Sequence, residues 1–362
     1  MPETITALVA QLAPWRGLPE LFVGTSPTGS VYRVNTEESP KLIRPVAVGL
    51  GDRVEHGVCE VSTLSLHDLD QDGDPELLAG TSQILPIGRP RLYIWSSQLD
   101  PALIGFVRPD IKSSWTHGLG FLPTGPGQTD SVISTYCGYG EVLQFQMVPS
   151  VNGGFQSEML GWRQVATAPK SGEQALTADV NNDGETELCL ASGYSVGNAQ
   201  VSIYQSNCGE LDASPVLTID EDHRFGNVRM LVSTFSATGS KNYLIAWWCS
   251  ELCNGECEIV RYAIERNTVV ERTVIAQGDA AMLWPREGQM ATADTDGDGN
   301  AEVWFATNQG YVWRYDPSRD RHPSLICSIP SKIGPIAAVS WDCGRQALYI
   351  GRDRSLFELR YR

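Results

Sequence analysis

Short apolar or alternating runs, closed by Gly, Pro, Asn or Asp, recur along the whole chain. Near the start, Ile5-Thr6-Ala7-Leu8-Val9 precedes Glu20-Leu21-Phe22-Val23-Gly24 and Ser30-Val31-Tyr32-Arg33-Val34. Near the end, Ile336-Ala337-Ala338-Val339-Ser340 precedes Ala347-Leu348-Tyr349-Ile350-Gly351 and Leu356-Phe357-Glu358-Leu359. In between, Gly118-Leu119-Gly120-Phe121 leads to Asp130–Tyr136 and Glu141–Gln146, and Val228–Val232 leads to Tyr243–Trp248 and Glu258–Tyr262. β-Branched and aromatic residues bounded by turn formers predict strands. No stretch has the 3.6-residue period of an amphipathic helix of useful length.

The same rhythm returns about every 55 residues, so the repeat, not the single strand, is the unit to interpret. Inner strands are expected near 5, 62, 117, 174, 228, 289 and 335, which makes seven repeats over residues 1–362. A closed ring of seven four-stranded blades protects strand edges by radial repetition, so the expectation is an all-β, seven-bladed β-propeller. The last repeat ends after its third strand; its fourth is either missing or supplied by another segment.

Three of the repeats carry an acidic loop after their first strand. The copies are Asp68-Leu69-Asp70-Gln71-Asp72-Gly73-Asp74-Pro75-Glu76, Asp179-Val180-Asn181-Asn182-Asp183-Gly184-Glu185-Thr186-Glu187 and Asp294-Thr295-Asp296-Gly297-Asp298-Gly299-Asn300-Ala301-Glu302. They start 111 and 115 residues apart, in alternate repeats. Each puts oxygen donors at positions 1, 3, 5 and 9 and Gly at 6. Alternate oxygens in a tight loop turn inward onto one hard cation, which is calcium chemistry. An EF-hand needs a Glu at position 12 and flanking helices. Position 12 is Ala79, Leu190 or Phe305, and the flanks read as strands. A metal-free acidic turn is the competing reading for any single copy, because Asp and Gly populate turns; three copies in one register favour metal.

These loops resemble the calcium-binding FG-GAP repeat of integrin alpha-type propellers and related VCBS-like bacterial repeats. The resemblance implies three calcium ions. Asp68, Asp70, Asp72 and Glu76 would bind the first, Asp179, Asn181, Asp183 and Glu187 the second, and Asp294, Asp296, Asp298 and Glu302 the third. Asp74, Glu185 and Asn300 would add backbone carbonyls. It also implies that ligands bind on the face opposite the metal loops.

Charge narrows the partners. The formal net charge is -16, which argues against a nucleic-acid binder working through phosphate contacts. No run of 18 apolar residues spans a membrane. No signal peptide is visible, so the expectation is cytoplasmic, or extracellular if a leader has been removed. The nine Cys are an odd number, and reduced thiols are the default in that compartment.

The blade-to-blade connections are expected on the face opposite the acidic loops. They hold His56, His117 and His223, the cations Arg53, Lys112, Lys170, Arg224, Arg286 and Lys332, and Trp115 and Trp284. Trp115, His117, His223, Arg224, Trp284 and Arg286 converging near the axis would hold an anionic or sugar-like ligand, helped by charge focusing in a concave mouth. The competing reading is a solvated loop surface, since Asp52, Glu55, Asp110, Glu173, Glu221, Asp222 and Glu287 lie in the same segments. Cys249, Cys253 and Cys257 are spaced C-x3-C-x3-C in an expected second-to-third-strand loop; an ordinary loop with one disulfide or none outweighs a zinc site.

Catalytic motifs such as G-x-S-x-G, Walker A and H-E-x-x-H are absent. The favoured reading is a calcium-stabilised binding or scaffolding module with a protein, carbohydrate or anionic partner. The runner-up is a lyase or hydrolase acting on an acidic glycan, with His117 or His223 as base and Arg224 or Arg286 neutralising a uronate, as in some propellers resembling this class. A lectin-like sugar binder is the third.

Overall fold

A computed structural model describes the chain except for residues 2, 14–17, 37–42, 51–57, 85–89, 97–101, 108, 114, 147–148, 151–153, 156–161, 168–170, 194–198, 222–223, 237–240, 251–254, 280–288, 308, 331–332, 342–344 and 362. Every regular element among the described residues is a strand. Six sheets are four-stranded antiparallel meanders and one has three strands, so the chain is a seven-bladed β-propeller. The inner strands are Thr4–Ala13, Val58–His67, Trp115–Leu122, Gly172–Ala178, Asn227–Ser233, Met290–Ala293 and Ile336–Trp341. Two additional small ribbons pair Pro149–Ser150 with Gly154–Phe155 and Ser206–Asn207 with Glu210–Leu211.

Each blade buries both faces of its middle strands against its neighbours. Ser131–Cys137 and Leu244–Cys249 are buried at every residue; the second reads as a continuous apolar run, whereas the first also buries Ser131, Ser134 and Thr135. The core is divided into seven apolar clusters, one per blade interface. Between blades 4 and 5, Cys189, Val201 and Phe225 meet Leu231, Trp248 and Tyr262. Between blades 5 and 6, Ile245, Trp247 and Ile259 meet Met290, Val303 and Phe305. The ring closes where Ile5, Leu21 and Val23 of blade 1 meet Val339, Ala347 and Tyr349 of blade 7. Ile5 N also donates to Asp353 O. A fully buried Val, Leu, Ile, Phe or Met contributes about 1.5–3 kcal/mol, so each seam is a substantial share of the stability.

Blade 7 comprises Ile336–Trp341, Arg345–Arg352 and Ser355–Tyr361, with no fourth strand among the described residues. Among the described residues, blades 7 and 1 are joined by side-chain packing and by the Ile5 N–H bond to Asp353 O, without a shared sheet.

Candidate functional site

The acidic loops join the first and second strands of blades 2, 4 and 6. All three share one hydrogen-bond scaffold. The N–H at position 6 donates to the first Asp: Gly73 to Asp68 at 2.9 Å, Gly184 to Asp179 at 3.1 Å and Gly299 to Asp294 at 2.9 Å. The N–H at position 7 donates to the carboxylate at 5: Asp74 to Asp72, Glu185 to Asp183 and Asn300 to Asp298, at 2.8, 2.9 and 2.8 Å. The Glu at position 9 is buried and accepts from position 2: Leu69 to Glu76 at 2.8 Å, Val180 to Glu187 at 3.0 Å and Thr295 to Glu302 at 2.6 Å. Positions 4 and 6 are left-handed in every copy, with φ of 62° at Gln71 and 95° at Gly73, 61° and 91° at Asn182 and Gly184, and 76° and 88° at Gly297 and Gly299.

The donor set suits a hard cation. Oxygens of Asp68, Asp70 and Glu76 lie within 4.8 Å of one another, as do those of Asp294, Asp296, Asp298 and Glu302. The cost of that convergence appears in the buried Glu. Burial, with the charges of Asp70, Asp72 and Asp68, pushes Glu76 up to about 8 against the opposing bond from Leu69 N. Burial, with Asp183 and Asp179, pushes Glu187 up to about 7 against the opposing bond from Val180 N. Burial also raises Glu302, although its bonds from Thr295 and the Arg314 charge oppose the rise.

The loops differ in what already neutralises them. In the third, Arg314 lies 2.9 Å from Asp296 and 3.1 Å from Glu302, and Arg319 pairs with Asp296 and Asp298. In the second, the Asn181 amide donates to Asp183 at 2.9 Å and Glu187 at 3.1 Å. Among the described residues, no Lys or Arg pairs with the first loop's carboxylates.

A cavity of about 260 Å³ runs along the axis, lined by residues of all seven inner strands. The ionisable residues in its lining are His117, Glu173 and Arg229. Arg229 Nη1 donates to Glu173 Oε2 at 2.7 Å, and His117 Nδ1 is 3.4 Å from the same oxygen. Ser171 Oγ donates to Glu173 Oε1 at 2.7 Å. Burial alone would raise Glu173, but His117, Arg229 and Ser171 together hold its carboxyl below the usual range. These side chains sit at the beginnings of their inner strands, while the acidic loops follow the ends of such strands. Cavity polarity and acidic loops therefore face opposite ends of the ring.

Gly118 sets this spacing. A Cβ there would lie 2.3 Å from Ala175 N and 2.9 Å from the Gln174 carbonyl carbon. Without one, the inner strands of blades 3 and 4 approach closely enough for His117 to reach Glu173.

Among the residues the sequence proposed for the mouth, Trp115 and His117 come together on one strand, their rings 6.1 Å apart and 10° from parallel. His117 is strand, not connection. Arg224 is placed apart from the cavity lining. It pairs with Glu258 at 3.2 Å and Glu221 at 3.4 Å, and lies over the Phe225 ring at 4.9 Å. His223, Trp284 and Arg286 lie outside the described residues, as do His56, Arg53, Lys170 and Lys332. Sequence reasoning counted Glu173 as a diluting loop acid and passed over Arg229. The available signal was a lone charge in each of two otherwise uncharged inner strands.

The C-x3-C-x3-C reading needs correcting. Cys249 ends the second strand of blade 5, and Cys257 faces it from the third strand rather than from a loop. Both thiols are free and buried. Burial and the Cys257 thiol push Cys249 well above the usual thiol value. Cys253 lies outside the described residues.

No protein-family model matches the chain, and no curated protein matches it. Solved structures do. A chain of the mitotic checkpoint complex crystal structure is 12% identical, with a TM-score of 0.58 over 98% of this chain and 89% of that one. The structure of U3-55K is 13% identical, with a TM-score of 0.56 over 97% and 89%. The crystal structure of Sqt1 from Saccharomyces cerevisiae is 11% identical, with a TM-score of 0.54 over 98% and 85%. At such identities the likeness establishes the shared fold, a β-propeller, and nothing finer.

Proposed function

We propose that the chain is a calcium-stabilised binding module, with calcium pinning the three acidic hairpins and the opposite face engaging a partner or ligand. The observation carrying this reading is the separation of chemistries. Oxygen clusters lie in the loops after the inner strands of blades 2 and 6, the blade 4 loop shares their hydrogen bonds, and a cavity walled in part by His117, Glu173 and Arg229 opens among the starts of inner strands. Calcium relieves carboxylate repulsion most in the first loop, where, among the described residues, no guanidinium or side-chain amide shares the charge of the loop carboxylates. Asp68, Asp70, Asp72 and Glu76 hold that ion, with Asp74 contributing its carbonyl; the other loops hold theirs through the equivalent residues. The ion supplies positive charge and fixes the hairpin, and takes no part in chemistry at the cavity. Likeness to a chain of a protein complex supports a protein partner for this fold.

The test is calcium titration of chelator-treated protein by calorimetry, with melting followed in parallel. Three bound equivalents and a melting temperature that rises with calcium are expected. No bound calcium and identical melting in chelator would sink the proposal.

A further inference from the structure

We propose that His117, Cys137 and Glu173 form a binding site for a thiophilic divalent ion, zinc above all, in the wall of the axial cavity. One ligating atom from each residue lies within 4.8 Å of the other two. A tetrahedral zinc site, with bonds of about 2.0–2.3 Å, needs ligand atoms roughly 3.3–3.8 Å apart, so only a small contraction is required. Three protein ligands of the N, S and O types leave a fourth position for water or a bound anion.

The surroundings are those of a metal site rather than a chance meeting of side chains. Ser171 Oγ lies 3.1 Å from Cys137 Sγ and 2.7 Å from Glu173 Oε1, so one hydroxyl bridges two of the three ligands and marks the place an ion takes by displacing it. Arg229, at 2.7 Å, orients the carboxylate from outside, as partners behind metal ligands do. The Trp115 ring lies beside His117, nearly parallel to it at 6.1 Å. The residues come from three strands of blades 3 and 4 that are fixed by sheet pairing. Only Ser171 belongs to a connection.

Ligand softness sets this site apart from the acidic loops. A thiolate and an imidazole select zinc over calcium, whereas the all-oxygen loops select the hard ion. The charges also fix the ligand class. The thiolate and carboxylate carry one negative charge each, Arg229 one positive and the ion two, leaving one net positive charge at the wall. Because His117 and Glu173 line the cavity, that charge draws a small anion or hydroxide from the axial side.

Cobalt is the probe. Protein stripped with chelator and returned to excess calcium, which keeps the acidic loops filled, is titrated with Co²⁺. One equivalent giving a thiolate-to-cobalt charge-transfer band, competed away by zinc, is expected. The band should vanish in Cys137→Ser and persist in the Cys249→Ser/Cys257→Ser double variant. In His117→Gln, which leaves the thiol in place, affinity should fall at least about tenfold, as loss of a ligand demands. Circular dichroism with calcium present verifies folding of each variant. No band in the wild-type protein, a band retained in folded Cys137→Ser, or a band lost only in the Cys249/Cys257 variant would each overturn the site. Calcium binding at the loops is unaffected by any of these results.

Discussion

Arg229 Nη1 lies 2.7 Å from Glu173 Oε2, joining the neighbouring inner strands of blades 5 and 4 in the wall of the axial cavity. The Glu173 side chain is 1% exposed and that of Arg229 19%, so neither charge is freely hydrated. Removing one member strands the other, which costs about 3–5 kcal/mol at buried pairs. Arg229→Met should lower unfolding free energy by about that amount, less what His117 and Ser171 still supply to the carboxylate. The double variant Arg229→Met/Glu173→Gln should recover most of the loss, because no unpaired charge remains. Denaturant curves measure both. A double variant as unstable as the single one would show that the pair acts through shape rather than charge.

The acidic loops predict a graded dependence on calcium. Ligand binding to the native state alone stabilises by RT ln(1 + [L]/Kd), about 2.7 kcal/mol at a hundredfold excess. Asp70→Ala, Asp183→Ala and Asp296→Ala should each remove one equivalent of bound calcium. The first should lose the largest calcium-dependent stabilisation, because the third loop retains Arg314 and Arg319 on its carboxylates and the second retains the Asn181 amide. Calorimetric stoichiometry decides the matter; an unchanged count in Asp70→Ala would exclude that loop as a site.

What was legible in the chain follows from burial. The inner and middle strands announce themselves because blade-on-blade packing demands apolar residues on both faces. The outermost strands do not. Ile43–Ala47 is exposed at its first three residues and Ser324–Ser328 at its ends, so solvent tolerates any side chain there and the pattern dissolves. The acidic loops were legible as spacing, but their second left-handed position was not. Gln71 and Asn182 adopt it without being Gly, because local hydrogen bonds hold the turn. The cavity wall was half legible. His117 was proposed, yet its partners Glu173 and Arg229 are single charges in strands 56 residues apart. Side-by-side packing of blades 3, 4 and 5 and the Gly118 contact bring those strands together.

The connection between blades 4 and 5 carries a pH dependence of known sign. Glu221 accepts from Arg272 at 2.8 Å and from Arg224 at 3.4 Å, and the Tyr262 hydroxyl also donates to it. Glu258 shares both guanidinium groups. Burial opposes ionisation of Glu221, but the Arg272 and Tyr262 hydrogen bonds and the Arg272 charge outweigh it and hold its carboxyl below the usual value of 4.5. A depressed folded-state value means that the unfolded chain takes up the proton first as pH falls. The stabilisation is therefore complete above pH 4.5 and is lost progressively below it. Glu221→Gln should cost about 1–3 kcal/mol at pH 7, typical of a charged hydrogen-bond partner, and much less at pH 3. Equal losses at the two pH values would contradict the ionic account.

Gly73 and Gly118 test two different reasons for glycine. At Gly73 a Cβ meets nothing within 4 Å, but φ is 95°, so the constraint is conformational. Asn tolerates left-handed backbone better than Ala does, so Gly73→Asn should be less costly than Gly73→Ala. At Gly118 the reason is space, since a Cβ would collide with the Ala175 and Gln174 backbone. Backbone cannot swing aside as a side-chain tip does, so cost there should grow with size. Gly118→Ala should destabilise by about 1–3 kcal/mol, and Gly118→Asn by more. The two pairs therefore rank Ala and Asn in opposite orders. The Gly118 variants should also part the inner strands of blades 3 and 4, moving His117 away from Glu173. Thermal melts of the four proteins give the ranking. If Asn proves worse than Ala at both positions, Gly73 is constrained by crowding and not by its left-handed turn.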